Sequence, residues 1–214
     1  MDLNNIPFLK YIAQKKIPVV ISTGLCNLSD VSDAVLCLKE NGCPEVILLH
    51  CVSIYPPEDN QVNLNNIDML RQTFGCKVGY SDHTLGVIAP LMSLAKGVCV
   101  LEKHFTLDKN MVGWDHKISA DPKELETICK AARVGYKMLG SFAKVVNENQ
   151  ERREAFQRSI VAARPIKKNQ IITESDLDYK RPGKGIAPKF YNFIIGKKAK
   201  RDISYDELIR MEDF

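Results

Sequence analysis

The segment Lys77-Val78-Gly79-Tyr80-Ser81-Asp82-His83-Thr84-Leu85-Gly86 decides the fold. Lys77 to Tyr80 reads as a short strand, and from Gly86 to Lys96 the apolar residues return at helical spacing. A strand that runs through a polar turn directly into a helix is half of a parallel βαβ unit. The Ser-Asp-His then falls at the carboxyl end of the strand, where barrel enzymes carry their chemistry.

The same alternation repeats on both sides. Ile17 to Ser22, Val46 to Cys51 and Val98 to Glu102 are further apolar, β-branched runs that read as strands. Helical patterns lie at Ile6 to Gln14, Ser29 to Glu40, Leu64 to Phe74 and Pro122 to Leu139, punctuated by Gly, Pro, Asn or Asp. A strand–helix–strand period of about 22 to 31 residues implies an α/β fold with a parallel sheet and right-handed crossovers. Four strands do not close an eight-stranded barrel, which takes about 200 to 250 residues. The sheet is therefore expected to be open, or to be half of a barrel.

After residue 144 the composition changes. Residues 145–157 are polar and charged (Asn147, Glu148, Asn149, Gln150, Glu151, Arg152, Arg153, Glu154) and read as a linker ending in a solvated helical turn. From 158 to 214, short apolar segments alternate with turn signals at Lys168-Asn169, Arg181-Pro182-Gly183 and Gly185, as in a small, strand-poor module. A module this small is marginal without docking onto a partner surface.

Among 214 residues, 45% are hydrophobic and 26% charged, the proportions of an ordinary globular chain. The net charge of +4 comes from 30 basic residues interleaved with 26 acidic ones, so no basic block argues for nucleic acid. No apolar stretch is long enough for a membrane span, and Met1 to Lys10 lacks the pattern of a signal peptide, which makes a cytoplasmic location the default expectation. The seven cysteines (Cys26, Cys37, Cys43, Cys51, Cys76, Cys99, Cys129) show no CxxC spacing and sit mostly in apolar segments, as reduced structural thiols do.

The chemistry gathers at two strand ends. Ser81-Asp82-His83 closes one strand, and Glu102-Lys103-His104 closes the next. Either histidine alone has an ordinary structural reading. Two of them on neighbouring strand ends, among carboxylates and a lysine, are placed to share a divalent ion completed by Asp, Glu or water, with Mn, Mg and Zn all open. His50, inside Leu48-Leu49-His50-Cys51, reads instead as buried and hydrogen-bonded.

Six segments in order along the chain carry a resemblance to a known family: Ile21-Ser22-Thr23-Gly24, Leu49-His50-Cys51 with Tyr55-Pro56, the Tyr80 to Gly86 run, Glu102-Lys103-His104-Phe105-Thr106, Asp115-His116-Lys117, and Lys180-Arg181-Pro182-Gly183 with Gly185-Ile186. They are similar to the sialic acid (N-acetylneuraminate) synthases. The resemblance implies the second half of a (β/α)8 TIM-type barrel over residues 1–144 and a small antifreeze-like, or SAF, domain over 158–214. It further implies a domain-swapped homodimer, with the first half of the barrel and its phosphate-binding lysines outside this chain. A separately encoded N-terminal half-barrel is one way to supply them.

The activity implied is condensation of phosphoenolpyruvate with N-acetylmannosamine or a related acylamino sugar, a C–C bond-forming transfer that releases phosphate. His83 and His104 match the ligands of a divalent metal, Mn or Mg, and Glu102 matches a catalytic carboxylate. Ser22, Ser53, Tyr55, Ser81 and Asp115 match substrate-contacting positions, and Arg181 matches an arginine that reaches the acylamino group from the partner subunit. Taken alone, each serine is explained by a turn or cap, and Arg181 by an ordinary surface turn. Two positions depart from the family pattern: Val112-Gly113-Trp114 stands where Pro-Gly-Pro is usual, and Ser53 where some relatives have Asn. The competing reading is a truncated, non-catalytic half-barrel that serves as a binding or assembly module.

Overall fold

The computed structural model describes residues 2–214; Met1, where the first expected domain begins, lies outside them. The chain divides into two compact units, Met1–Ser141 and Phe142–Phe214.

The first unit is a four-stranded parallel sheet in the order β1 (Val19–Ser22), β2 (Val46–Cys51), β3 (Lys77–Asp82), β4 (Leu101–Lys103). The helices α1 (Ile6–Ala13), α2 (Leu28–Glu40), α3 (Asp59–Val62), α4 (Asn65–Phe74), α5 (Ile88–Ala95) and α6 (Pro122–Leu139) precede, separate and follow the strands. Strand periodicity assigns the two faces. Val46, Leu48, Val78 and Tyr80 pack with Ala34, Leu38, Ile67 and Leu70 of α2 and α4 in one buried cluster. Full burial of a leucine such as Leu38 or Leu48 contributes about 1.5–3 kcal/mol. Ser22, Leu49, Cys51, Ser81 and Glu102 alternate onto the opposite face.

Local sequence explains where the helices begin and end. Asn27 accepts from the backbone N–H groups of Ser29 and Asp30, while Asp30 accepts from that of Asn27, a reciprocal capping box. Asp121 and Glu124 do the same for α6, with Pro122 at its first position. Helix α4 stops at Gly75, whose φ of 60° is left-handed.

Most boundaries fall within two residues of the sequence reading, and three differences bear on the site. Strand β3 continues to Asp82, two residues past the expected end, because β4 pairs with it through Asp82 and Lys103. Strand β4 is regular only from Leu101, although Cys99 N–H already donates to the Val78 carbonyl at 3.0 Å. The short helix α3, within the Pro- and Asn-rich stretch after β2, carries no pattern long enough to be read as a helix.

In the second unit, α7 (Gln150–Phe156) occupies the expected linker, followed by the antiparallel pair β5 (Ser159–Ala162) and β6 (Leu177–Lys180) and the short α8 (Tyr191–Ile194). Isolated bridges Val161–Leu208, Ile166–Ile203 and Ile171–Lys198 tie the remaining chain together. Ile160, Ile166, Ile172, Ile194, Ile203 and Ile209 form its core.

That core is flanked by fully buried carboxylates. Asp176 accepts from Arg164 Nε at 2.6 Å and from both the N–H (2.8 Å) and hydroxyl (2.6 Å) of Thr173. Burial alone would raise its pKa, but the Thr173 and Arg164 hydrogen bonds prevail and hold it below the usual carboxylate range. Because the folded-state value is depressed, this stabilisation is complete above the ordinary aspartate pKa of about 3.9 and is lost as pH falls through the folded-state value. Asp176→Ala is expected to destabilise the second unit by about 2–3 kcal/mol at neutral pH. Amide exchange at Ile160 and Ala162 in the whole chain should then be roughly 30- to 150-fold faster, and the variant should lose part of the wild-type sensitivity to acid. Wild-type exchange rates in the variant would refute this.

Candidate active site

Strands β3 and β4 run in register, Tyr80 opposite Leu101, Ser81 opposite Glu102 and Asp82 opposite Lys103. One step beyond this ladder stand His83 and His104, their ring centroids 5.3 Å apart and their planes at 51°. The expected pair is therefore brought together. His83 is buried, and its Nδ1 donates to the Val52 carbonyl at 2.9 Å, which in the neutral ring leaves the lone pair on Nε2. Burial alone would lower its pKa, but the contacts with Cys51 and Val52 prevail and raise it. On His104, Nδ1 lies 3.6 Å from Oδ2 of Asp115.

Asp115 reaches this point because the loop after β4 folds back on the strand. Ala120 N–H donates to the His104 carbonyl at 2.7 Å, and Thr106 N–H donates to the Ala120 carbonyl at 3.0 Å. Within the loop, the Asp115 carbonyl accepts from the Ser119 hydroxyl at 2.7 Å, and His116 Nδ1 lies 2.8 Å from Thr106 Oγ1. Val112 and Trp114, the departures from the family pattern, stand fully exposed on this loop.

The other expected residues of the first unit surround the pair. Tyr55 lays its ring 4.1 Å from that of His83 and 6.0 Å from that of His104. Its pKa is raised by partial burial and by the negative neighbours Cys51 and Asp115. Ser53 Oγ lies 3.8 Å from Cys51 Sγ, and Ser22 neighbours the same thiol. A side chain at Gly24 would collide with Ser53, which is why that turn carries glycine. Ser81 donates its only hydroxyl proton to Glu102 Oε1 at 2.7 Å. For Ser81 to donate to an anionic substrate it must turn away from Glu102, freeing that carboxylate at the same moment.

Arg181 belongs to the second unit, where its exposed guanidinium lies over the Phe156 ring at 5.2 Å. His50 is buried on the helix-covered face, donating from Nε2 to the Val62 carbonyl at 2.7 Å, as expected. Burial lowers its pKa, and the Val62 bond only partly offsets this.

Two features were not legible beforehand. The sequence places both charges of Asp82 and Lys103 at the rim with the histidines. Instead they alternate onto the helix-covered face and pair with each other there, their side chains 0% and 4% exposed. The second is Cys51. All seven cysteines are free thiols, as read. Burial alone would raise the Cys51 pKa, but contacts with His83, Ser22 and Ser53 outweigh it and bring the value down to about 7. Only the register between β2 and β3, Cys51 opposite Ser81, brings this thiol to the histidines.

The donor set suits a divalent ion. In its neutral form, with Nδ1 committed to Val52, His83 offers Nε2 as the ligand atom, a second imidazole faces it, and Glu102 and Asp115 supply hard oxygen donors at the margin. Among the described residues no group of three or more His, Cys, Asp or Glu has metal-holding geometry, so water or substrate oxygens would complete the coordination. No helix among the described residues is long and apolar enough to cross a membrane.

A model of the NeuB family matches residues 1–144, and a model of the SAF domain matches residues 157–214. An uncharacterized protein of Methanocaldococcus jannaschii is 45% identical over 214 residues, covering 99% of this chain and 63% of its own length. N,N'-diacetyllegionaminic acid synthase of Campylobacter jejuni is 41% identical over 212 residues, covering 98% of this chain and 64% of that protein. Among solved structures, a putative spore coat polysaccharide biosynthesis protein E from Chromobacterium violaceum aligns with a TM-score of 0.77 at 26% identity, over 99% of this chain and 65% of that one. The chain thus spans less than two thirds of the length of the curated relatives it matches.

Proposed function

The chain belongs to the NeuB family and carries a SAF domain after its half-barrel, and from that membership we propose that it acts in the synthesis of a nonulosonic acid. The reaction is condensation of phosphoenolpyruvate with an open-chain acylamino sugar such as N-acetylmannosamine, in the cytoplasm, giving the nine-carbon acid and phosphate. The relatives' names, which include legionaminic, pseudaminic and N-acetylneuraminate-9-phosphate synthases, support the product class and leave the choice of sugar open. The observation that carries the reading is the His83–His104 pair, ring to ring at 5.3 Å beside Glu102 at one sheet rim.

His83 and His104 would hold a divalent ion, Mn or Mg, through their ring nitrogens, which the ring-to-ring approach of 5.3 Å allows. Bound there, the ion would supply Lewis-acid polarisation of the sugar aldehyde. The residues do the rest. Tyr55 covers the two imidazoles and limits access of water. Ser22, Ser53 and Ser81 offer hydroxyls to the oxygens of phosphoenolpyruvate. Glu102, released when Ser81 turns to substrate, is free to exchange a proton with the water that adds as the C–O bond to phosphate breaks. Asp115 orients His104 and meets sugar hydroxyls. Arg181 of a second subunit binds the acylamino group, and its fixed fork of donors suits a carbonyl oxygen.

A second reading follows from β1 and β4 being the edges of an open parallel sheet, since such sheets are normally covered or closed. Here the chain is a half-barrel subunit that turns over only with a separate N-terminal half. The test is phosphate release from phosphoenolpyruvate with acylamino sugars, before and after chelation. Release that stops with chelator and returns with Mn²⁺ is the expected result. Mn²⁺ binding without release would favour the half-barrel subunit, and neither binding nor release would overturn the metal-dependent reading.

A further inference from the structure

The two residues that immediately precede the histidines, Asp82 and Lys103, sit on the last rung of the β3–β4 ladder, and they are salt-bridged to each other with their side chains buried. We propose that this pair is a positioning clamp that fixes the distance and angle between His83 and His104. The inference deepens the metal-site reading and rests on it for its purpose, though not for its geometry.

Backbone pairing between the strands ends at Asp82 and Lys103, so no ladder rung holds the two histidines together. Strand β4 is only three residues long, and beyond Lys103 its backbone bonds run to Ala120 and not to β3. The clamp acts at this point. Oδ1 of Asp82 accepts from the Tyr80 hydroxyl at 2.8 Å and from the Thr84 N–H at 3.1 Å, and Oδ2 accepts from Lys103 Nζ. Lys103 Nζ also donates to the Thr84 carbonyl at 2.6 Å. Thr84 is therefore held at its N–H by one partner and at its carbonyl by the other. His83, between Asp82 and Thr84, is bracketed on both sides. His104 is bracketed in the same manner, by Lys103 before it and by the Ala120 bond to its own carbonyl.

Stability alone does not account for the pair. Desolvating two charges is costly, and well-packed apolar residues usually serve a core as well or better. A buried pair gives defined geometry in return, through directional bonds that a hydrophobic contact lacks. Strand alternation then transmits that geometry through the sheet, because fixing the rung on one face fixes the direction of the next side chains on the other.

The test is the isosteric double variant Asp82→Asn/Lys103→Met, which removes both charges and leaves none unpaired. Two readouts are taken on the whole chain: nuclear Overhauser contacts between the imidazoles of His83 and His104 without metal, and Mn²⁺ affinity by electron paramagnetic resonance. The expected result is a folded protein with an unchanged unfolding midpoint, loss of the ring–ring contacts, and Mn²⁺ affinity reduced by about 10- to 100-fold, as for other groups that orient ligands. A folded variant that keeps the ring–ring contacts overturns the clamp. If the double variant does not fold, Tyr80→Phe, which removes one bond to Asp82 and keeps the ring, decides: weakened imidazole contacts support the clamp and unchanged ones refute it. Wild-type protein that binds no Mn²⁺ would sink the metal reading, while the metal-free contacts still judge the clamp.

Discussion

His83→Ala is expected to lower Mn²⁺ affinity by at least about 100-fold and to remove metal-dependent phosphate release. Removing groups that merely orient a ligand costs about 10- to 100-fold, and His83 is one of the two imidazoles that face each other at the rim. Among the described residues no third ligand completes a cluster that could compensate. The fold should survive. The substitution leaves the Val52 carbonyl without its partner, a loss of about 1 kcal/mol, and the helix-face core is untouched because His83 lies on the other side of the sheet. Titration calorimetry of wild type and variant, with circular dichroism as the control for folding, makes the comparison. Equal Mn²⁺ affinities in two folded proteins would remove His83 from the site.

Gly79→Ala is expected to be the most damaging single-methyl change in the first unit. A Cβ there would stand 2.5 Å from the Val100 carbonyl oxygen and 2.5 Å from Leu49 Cδ2. The leucine has room to rotate. The carbonyl does not, because it accepts from the Tyr80 N–H at 2.9 Å and so belongs to the β3–β4 pairing. Relief of the clash therefore separates the two strands that deliver the histidines. The cost is roughly 3 kcal/mol, at the upper end of overpacking, which corresponds to a fall in melting temperature of about 6–12 °C for a chain of this size. Gly75→Ala provides the contrast. Its added Cβ meets nothing within 4 Å, and only its φ of 60° resists the change, so about 1 kcal/mol is expected. Equal melting temperatures for the two variants would refute the close-approach argument.

The sequence alone reached a large part of this protein because the signals it used are local. Apolar, β-branched runs and period-3.6 stripes placed all four strands of the parallel sheet and five of the helices. The Ser-Asp-His and Glu-Lys-His endings placed two histidines at one rim, since equivalent points of successive βα units must meet along the same sheet edge. The family resemblance came from six short motifs in order, and the NeuB and SAF matches agree with it.

Tertiary structure decided what depends on register and on chain returning from a distance. Asp82 and Lys103 are adjacent in sequence to the paired histidines and yet serve the opposite face, and only the rung pairing of β3 with β4 makes them partners. Cys51 is an ordinary apolar-segment cysteine in the sequence and a perturbed thiol in the fold, because β2 is registered so that it faces His83. Asp115 comes to His104 through a loop whose path is set by backbone hydrogen bonds to β4, and Asp176 becomes a buried hub through Arg164, twelve residues earlier. Periodicity along a chain reports which face a residue occupies; which other residue stands opposite is fixed by hydrogen bonds between segments, and these carry no signature in either segment alone.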